Sequence, residues 1–307
     1  MLQSRPTLVC GAQMAPGNPI LTRKGLSAED YGIAVNRILD AIESHCRINR
    51  WSLLFYAMFE TDRTLRSLFA NRPYLNASNP PNTLLDIRWN SWQEYLNHLK
   101  VTHPATEKSV RMQVNRGRRD GVTIEELDDP SEFESEIFRI LAEHFYRKNQ
   151  TPISIEPEFP TVLKKNLGDR ALIYVAKKNN RVIGVSTYVR HLTAMHWKFF
   201  GIATDFVRSR NSVYFNLAFH HPIEQACREG CERVILGTMP YRVKVSRGAR
   251  LIPISSWIWQ PNHLLASLHR VPLSYVAWRQ KRYLKQFADQ NQVIAEPMPS
   301  PTDDPGG

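Results

Sequence analysis

The stretch YFNLAFHHPIEQACREGCERVILGTMPYRVKVSRGARLIP, Tyr214–Pro253, decides the reading of this chain. Its spacing predicts a helix, a buried strand, a basic loop carrying Lys244 and Arg247, and a second strand. Tyr214, Asn216 and His220 lead the helix with aromatic and polar side chains. Gly230 stands at the helix–strand joint and Gly248 follows the basic loop.

Upstream, the pattern alternates helix and strand. SEFESEIFRILAEHFYRKN (131–149) is an amphipathic helix with acids in its first turns and bases in its last, matching the helix dipole. FPTVLKKNLG (159–168) is a shorter helix. RALIYVAKK, NNRVIGVSTYVRH and TAMHWKFFGI read as three consecutive antiparallel strands, with Asn179–Asn180 as a tight turn. With a strand at 122–127, the order is β-α-α-β-β-β-α-β-β.

The first part of the chain offers a helix over 33–49, a strand over 51–59 and a helix over 61–72 capped by Thr61 or Asp62. NASNPPN (76–82) is expected to be a loop, because every residue in it favours turns, and a strand follows at 83–89. Ser91 with Glu94 forms a capping box for the next helix. A second helix, closed by Gly121, carries Lys108, Arg111, Arg116, Arg118 and Arg119, which read as a solvated basic face or as a track for RNA. Beyond Pro261 one more helix is expected, LSYVAWRQKRYLKQFADQ, and then a disordered tail.

Composition bounds the function. At 307 residues with 42% hydrophobic and 22% charged residues, the chain is that of a globular protein. The net charge of +11 favours an anionic partner: a phosphorylated cofactor, RNA or an acidic membrane surface. No apolar run reaches the roughly 18–20 residues of a membrane span. The N-terminus is a poor secretory signal, so a cytoplasmic protein is expected. Cys10, Cys46, Cys227 and Cys231 are too few for a disulfide framework, and Cys227 and Cys231 lack a partner pair at metal-finger spacing. They are expected to be buried free thiols, and no metal is expected.

Trp92, Tyr95 and Leu96, then Arg111, Arg116, Arg118, Arg119, Gly121 and Val122, resemble the segment joining the two lobes of Fem-type proteins. Phe200–Gly201, Tyr214–Asn216, Lys244 and Arg247–Gly248 resemble the C-terminal signature of the FemAB-like acyltransferases, double-GNAT proteins that include a peptidoglycan biosynthesis/recognition group. The resemblance covers roughly residues 7–260. It implies an α/β (α+β) fold of two GNAT-like lobes with mixed, mostly antiparallel sheets flanked by helices. The lobes are expected over 1–102 and 122–260, joined by a basic helix over 103–121, with a helical extension over 261–290 and the tail over 291–307.

It also implies acyl transfer to an amine by direct attack, from acyl-CoA or from aminoacyl-tRNA. The alternative is a non-catalytic binding protein on the same scaffold. Such chemistry needs a proton acceptor and hydrogen-bond donors for the oxyanion. The candidates for proton handling are His220, Asn216 and Tyr214, with Asn216 orienting His220 at i, i+4. His220 also reads as a helix histidine at the rim of the core. Lys244, Arg247 and Lys198 are the candidates for holding substrate, against the alternative that Lys244 and Arg247 lie in a solvated loop.

The donor's pantetheine would pair beside Phe200 and Gly201, and its pyrophosphate would meet Arg208 and Arg210. The sequence departs from the family at the loop TDFVRSRNS, which has no glycine, and at Asn216, where relatives often carry Glu. It also carries Phe219–His220 where relatives often pair two tyrosines.

Overall fold

The computed structural model of the chain describes residues 6–11, 17, 20–23, 25–59, 63–207 and 212–291. Its elements run β1 (Thr7–Cys10), α1 (Ala28–Asn49), β2 (Ser52–Phe59), α2 (Arg63–Ala70), β3 (Leu75–Asp86), α3 (Trp92–Thr102), α4 (Pro104–Arg119) and β4 (Thr123–Glu126). They continue through α5 (Glu134–Asn149), α6 (Phe159–Leu167), β5 (Ala171–Lys178), β6 (Arg181–His191) and β7 (Ala194–Ile202). After β7 come α7 (Val213–Phe215), a π-helical turn (Asn216–His220), α8 (His221–Arg228), β8 (Arg233–Gly237), α9 (Tyr241–Val245), β9 (Arg250–Trp259) and α10 (His263–Asn291). This is a mixed α/β fold. Thr61, Asp62 and the expected tail beyond Asn291 lie outside the described residues.

The chain forms two compact units. One comprises Met1–Thr83, Thr238–Tyr241 and Arg250–Gly307. Within it β1 pairs parallel with β2, β2 pairs antiparallel with β9, and β3 lies beside β9. Its core gathers Val35 and Leu39 of α1, Phe55 of β2, Leu65 and Phe69 of α2, and Trp257 and Trp259 of β9. Phe69 stacks on Trp257 at 5.5 Å, so the two tryptophans of β9 serve packing.

One expectation is overturned in this unit. NASNPPN is strand, not loop: β3 runs straight through Pro80 and Pro81. Turn propensity loses here because side chains from elsewhere satisfy the segment. Asn79 donates to Ser256 Oγ at 2.8 Å, the Pro81 carbonyl accepts from Tyr241 OH at 3.1 Å, and Gln280 donates to the Asn79 carbonyl.

The other unit comprises Leu84–Gly237 and Arg242–Ala249. Its strands lie in the order β8-β7-β6-β5-β4, antiparallel except for the parallel β7–β8 pair. The expected turn is present, with Asn179 and Asn180 both at positive φ (51° and 60°). Ser91 accepts from the Glu94 amide, as the expected cap requires, while Glu94 reaches past Ser91 and accepts from the Asn90 amide instead. One core packs Ile137, Ile140 and Leu141 of α5 against β5 and β6, and a second packs α3, α4 and the helix after β7. Gly201 is needed here for space: a Cβ would stand 2.9 Å from the Ile140 carbonyl oxygen. Cys227 and Cys231 are free and buried.

The helix after β7 departs from the regular α-helix that the sequence suggests. It changes to π geometry at Asn216–His220, immediately before Pro222. Pro222 has no N–H to offer, and the carbonyl four residues before it, Ala218, accepts instead from Tyr188 OH at 2.8 Å. Tyr188 is fully buried on β6. Tyr188→Phe strands that carbonyl, so a urea titration should find a loss of about 1–3 kcal/mol.

Candidate active site

The site is built where two parallel strands part. β7 and β8 pair through Ala194↔Arg233, Met195↔Val234 and His196↔Ile235. Beyond that, β7 continues to Ile202 and β8 ends at Gly237 without further pairing. A β-bulge sits at the fork. Thr187 faces Phe199 and Tyr188 faces Trp197, which leaves Lys198 as the extra residue. The Phe199 amide then bonds Thr187 Oγ1 at 3.0 Å.

Lys244 is fully buried at this fork. Its Nζ donates to the carbonyls of Leu236 (2.6 Å) and Gly237 (3.1 Å) at the end of β8. The same Nζ lies 5.3 Å from the ring centroid of Trp197 on β7. The ammonium therefore touches both diverging strands. Trp197 is fixed by its indole N–H, which donates to Ser186 Oγ at 3.0 Å. Burial pulls the Lys244 pKa down to about 7, because a charged amine loses its hydration there.

Arg247 is 4% exposed and sits one turn further on. Its guanidinium lies 4.8 Å from Phe215 and 5.2 Å from Phe219, donates to the Val243 carbonyl at 2.8 Å, and donates to Gln113 Oε1 at 3.2 Å. Its Nε has no hydrogen-bond partner among the described residues. Tyr95 OH donates to the Arg247 carbonyl at 3.0 Å. Gly248, at φ 91°, makes the turn that follows. Lys244 and Arg247 thus lie in and after the short helix α9 and are buried, so the solvated-loop alternative is excluded.

The π turn changes which side chains share a face. In an α-helix Tyr214 would meet Leu217 or Ala218; here rings five apart meet instead. Tyr214 contacts Phe219 at 5.7 Å and Phe215 stacks on His220 at 6.5 Å. Asn216 and His220 are brought together as their spacing suggests: His220 Nδ1 lies 2.9 Å from Asn216 Oδ1. Asn216 Nδ2 donates to the Gln113 carbonyl at 3.0 Å, so its Oδ1 is the acceptor and Nδ1 of His220 carries the proton. His220 Nε2 is left as a lone pair, with no partner among the described residues. His220 is 3% exposed, and burial, aided by the Arg247 charge, holds its pKa well below the usual histidine value.

The remaining candidates fall around this centre. Tyr214 packs edge-on to Phe200 at 5.3 Å, and its hydroxyl pKa is raised by burial. Phe200 also meets Trp197 at 5.8 Å and His144 at 5.4 Å. Burial lowers the Lys198 pKa. Arg208 and Arg210 lie outside the described residues.

The sequence reading missed Trp197, whose place three residues before Phe200 of the Phe-Gly strand end was the available signal. It also missed Gln113, for which no local pattern exists. On the α4 side, a cleft of 220 Å³ opens between α3 and α4, lined by Trp92, Val114, Arg111 and Arg118 among others. Trp92 reaches back to His220, with ring centroids 6.0 Å apart. Lys108, Arg111, Arg118 and Arg119 are exposed, as a solvated helix face requires. Among the described residues, no group of three His, Cys, Asp or Glu side chains could hold a metal ion.

Strand order, bulge and parting strands define the class of this unit: a mixed α/β unit whose fork holds a buried lysine. The chain belongs to the FemAB-like family of peptidoglycan biosynthesis/recognition proteins, which it matches over residues 5–292. Among solved structures it is similar to the C-terminal domain of an Agrobacterium fabrum protein assigned as a lysylphosphatidylglycerol synthetase. The identity there is 16%, over 79% of this chain and 77% of that one, with a TM-score of 0.56. It is similar to L-PGS from Bacillus licheniformis at 10% identity, 82% and 80% coverage and a TM-score of 0.54. FemX gives 9% identity, 85% and 82% coverage and a TM-score of 0.54. At these identities the likeness is one of fold. No curated protein matches the sequence.

The buried ammonium has a consequence for stability. The folded chain releases the Lys244 proton near pH 7, whereas an unfolded lysine keeps it to about 10.4. The unfolded state therefore binds more protons within that window, and stability rises with pH across it. Urea titrations at pH 7, 8 and 9 should find this rise, and Lys244→Met should flatten it.

Proposed function

We propose that this chain is an acyltransferase in which an amine attacks an activated acyl carbonyl directly at the β7–β8 fork. The observation that carries this reading is the Lys244 ammonium at the fork, touching both β8 carbonyls and Trp197. A carbonyl brought there gains negative charge on its oxygen as the amine adds. A cation already held in a dry, aromatic-walled site stabilises that charge without reorganising. The C–N bond forms as the bond to the leaving thiolate or ester oxygen breaks, and the amine's proton passes to an acceptor.

The neutral His220, with Nε2 as a lone pair and Asn216 fixing its tautomer, is the candidate acceptor. Its depressed pKa makes it a weak base, so its share of the rate is smaller than that of Lys244. Arg247 and Lys198 are assigned to holding an anionic part of the substrate.

A CoA thioester is the donor we favour for the unpaired edge of β7 beside Phe200 and Gly201. A second reading, aminoacyl-tRNA, is favoured by one observation: Arg111 and Arg118 line the α3–α4 cleft, and Lys108 and Arg119 are exposed on the same helix. Native mass spectrometry of protein purified without added ligand distinguishes the donors by what travels with it. Binding of tRNA that weakens steeply with salt selects the second. Binding of neither donor, with no turnover of acetyl-CoA or aminoacyl-tRNA, leaves the recognition-protein alternative.

With the donor in hand, Lys244→Met should lower kcat by about 10²–10³-fold, and His220→Gln by about tenfold or less. Because the ammonium is the working form, wild-type kcat/KM should fall as pH rises through about 7. Full turnover by Lys244→Met would remove Lys244 from the chemistry.

A further inference from the structure

The helix α10 presents two contrasting faces. Leu273, Ala277, Gln280, Leu284 and Phe287 follow helical spacing and are buried or half-buried. Gln280 donates to the Asn79 carbonyl, and Phe287 meets Tyr241 at 6.0 Å between ring centroids. The opposite face carries Tyr275, Trp278, Arg279 and Arg282, at i, i+3, i+4 and i+7. Tyr275 is 58% exposed and Trp278 53%, with Val276 and Tyr283 half-exposed along one flank. Lys281 and Lys285 are exposed along the other.

Along α10 no acid precedes Asp289. Between Glu232 and Asp289 the chain contains ten Lys or Arg residues and neither Asp nor Glu. The exposed ridge from Tyr275 to Lys285 is about 16 Å long at the rise of an α-helix. We propose that this ridge docks the protein on an anionic membrane surface, the rings entering the headgroup layer and the bases meeting lipid phosphates. No helix of the described residues is long and apolar enough to cross a membrane, so the contact lies in the interface plane.

RNA is the competing polyanion, and the ring geometry argues against it. Trp278 stacks on Tyr275 at 6.0 Å and is covered by the Arg282 guanidinium at 5.5 Å. Ring faces already engaged in this way offer little platform for a base, whereas ring edges still suit a lipid interface. The ridge is also flanked by the half-exposed, apolar Val276, which fits a headgroup layer better than a phosphate-tracking site.

The test is co-sedimentation of the full chain with vesicles of phosphatidylcholine alone or mixed with phosphatidylglycerol, at low and high salt. The expected result is partition onto the anionic vesicles only, weakened by salt. Arg279→Glu with Arg282→Glu should lower that partition by more than about tenfold. Tyr275→Ser with Trp278→Ser should lower it as well. Both pairs should keep the wild-type thermal midpoint, since these side chains point away from the core. Failure of the wild type to sediment with phosphatidylglycerol vesicles overturns the proposal, as does wild-type partition by either double variant. Retention of homopolymer RNA that both variants lose, without vesicle binding, also overturns it and reassigns the ridge to nucleic acid.

Discussion

Everything at the candidate site depends on the parting of β7 from β8. Parallel pairing holds for three residues and then stops, although both strands continue. Buried carbonyls at the end of a strand are costly unless something donates to them. Lys244 is that donor for Leu236 and Gly237. The same contacts that satisfy the end of β8 hold a cation where a developing oxyanion would gain most. Structural necessity and proposed chemistry thus meet in one side chain.

The aromatic residues around the fork make this arrangement tolerable. Desolvating a cation costs several kcal/mol after relaxation, and carbonyl and ring contacts offset part of that cost. Trp197 serves Lys244 in this way, and Phe215 and Phe219 serve Arg247. Those two phenylalanines, four apart, reach Arg247 from a helix whose π turn also brings Phe215 onto His220, five residues on. A regular α-helix would rotate His220 away from Phe215. Pro222 and Tyr188 are therefore part of the site's construction, although neither is assigned a place in the chemistry.

Gln113 ties the second layer together. Its carbonyl takes the Asn216 amide and its Oε1 takes the Arg247 guanidinium. One residue of α4 thereby sets the Asn216 rotamer, the His220 tautomer and the Arg247 position. Trp92, against His220, carries that support to the α3–α4 cleft. The basic helix that sequence reading treated mainly as a solvated face has two faces. Its outer face is charged, and its inner face anchors the site.

The sequence by itself determined the element order of the Leu84–Gly237 unit, the Ser91 cap, the Asn179–Asn180 turn and the pairing of Asn216 with His220. These rest on local periodicity and on spacings of a few residues, which survive in any context that keeps the helix or strand. Only the tertiary structure decided the rest. It turned the proline-rich segment 76–82 into strand, because Ser256, Tyr241 and Gln280 supply hydrogen bonds that local propensity cannot anticipate. It also buried Lys244 and Arg247, for which the sequence left a solvated loop open beside a role in holding substrate. A lysine's identity says nothing about whether carbonyls and a tryptophan ring will close around its ammonium, and that enclosure is what gives Lys244 its lowered pKa and its candidate role.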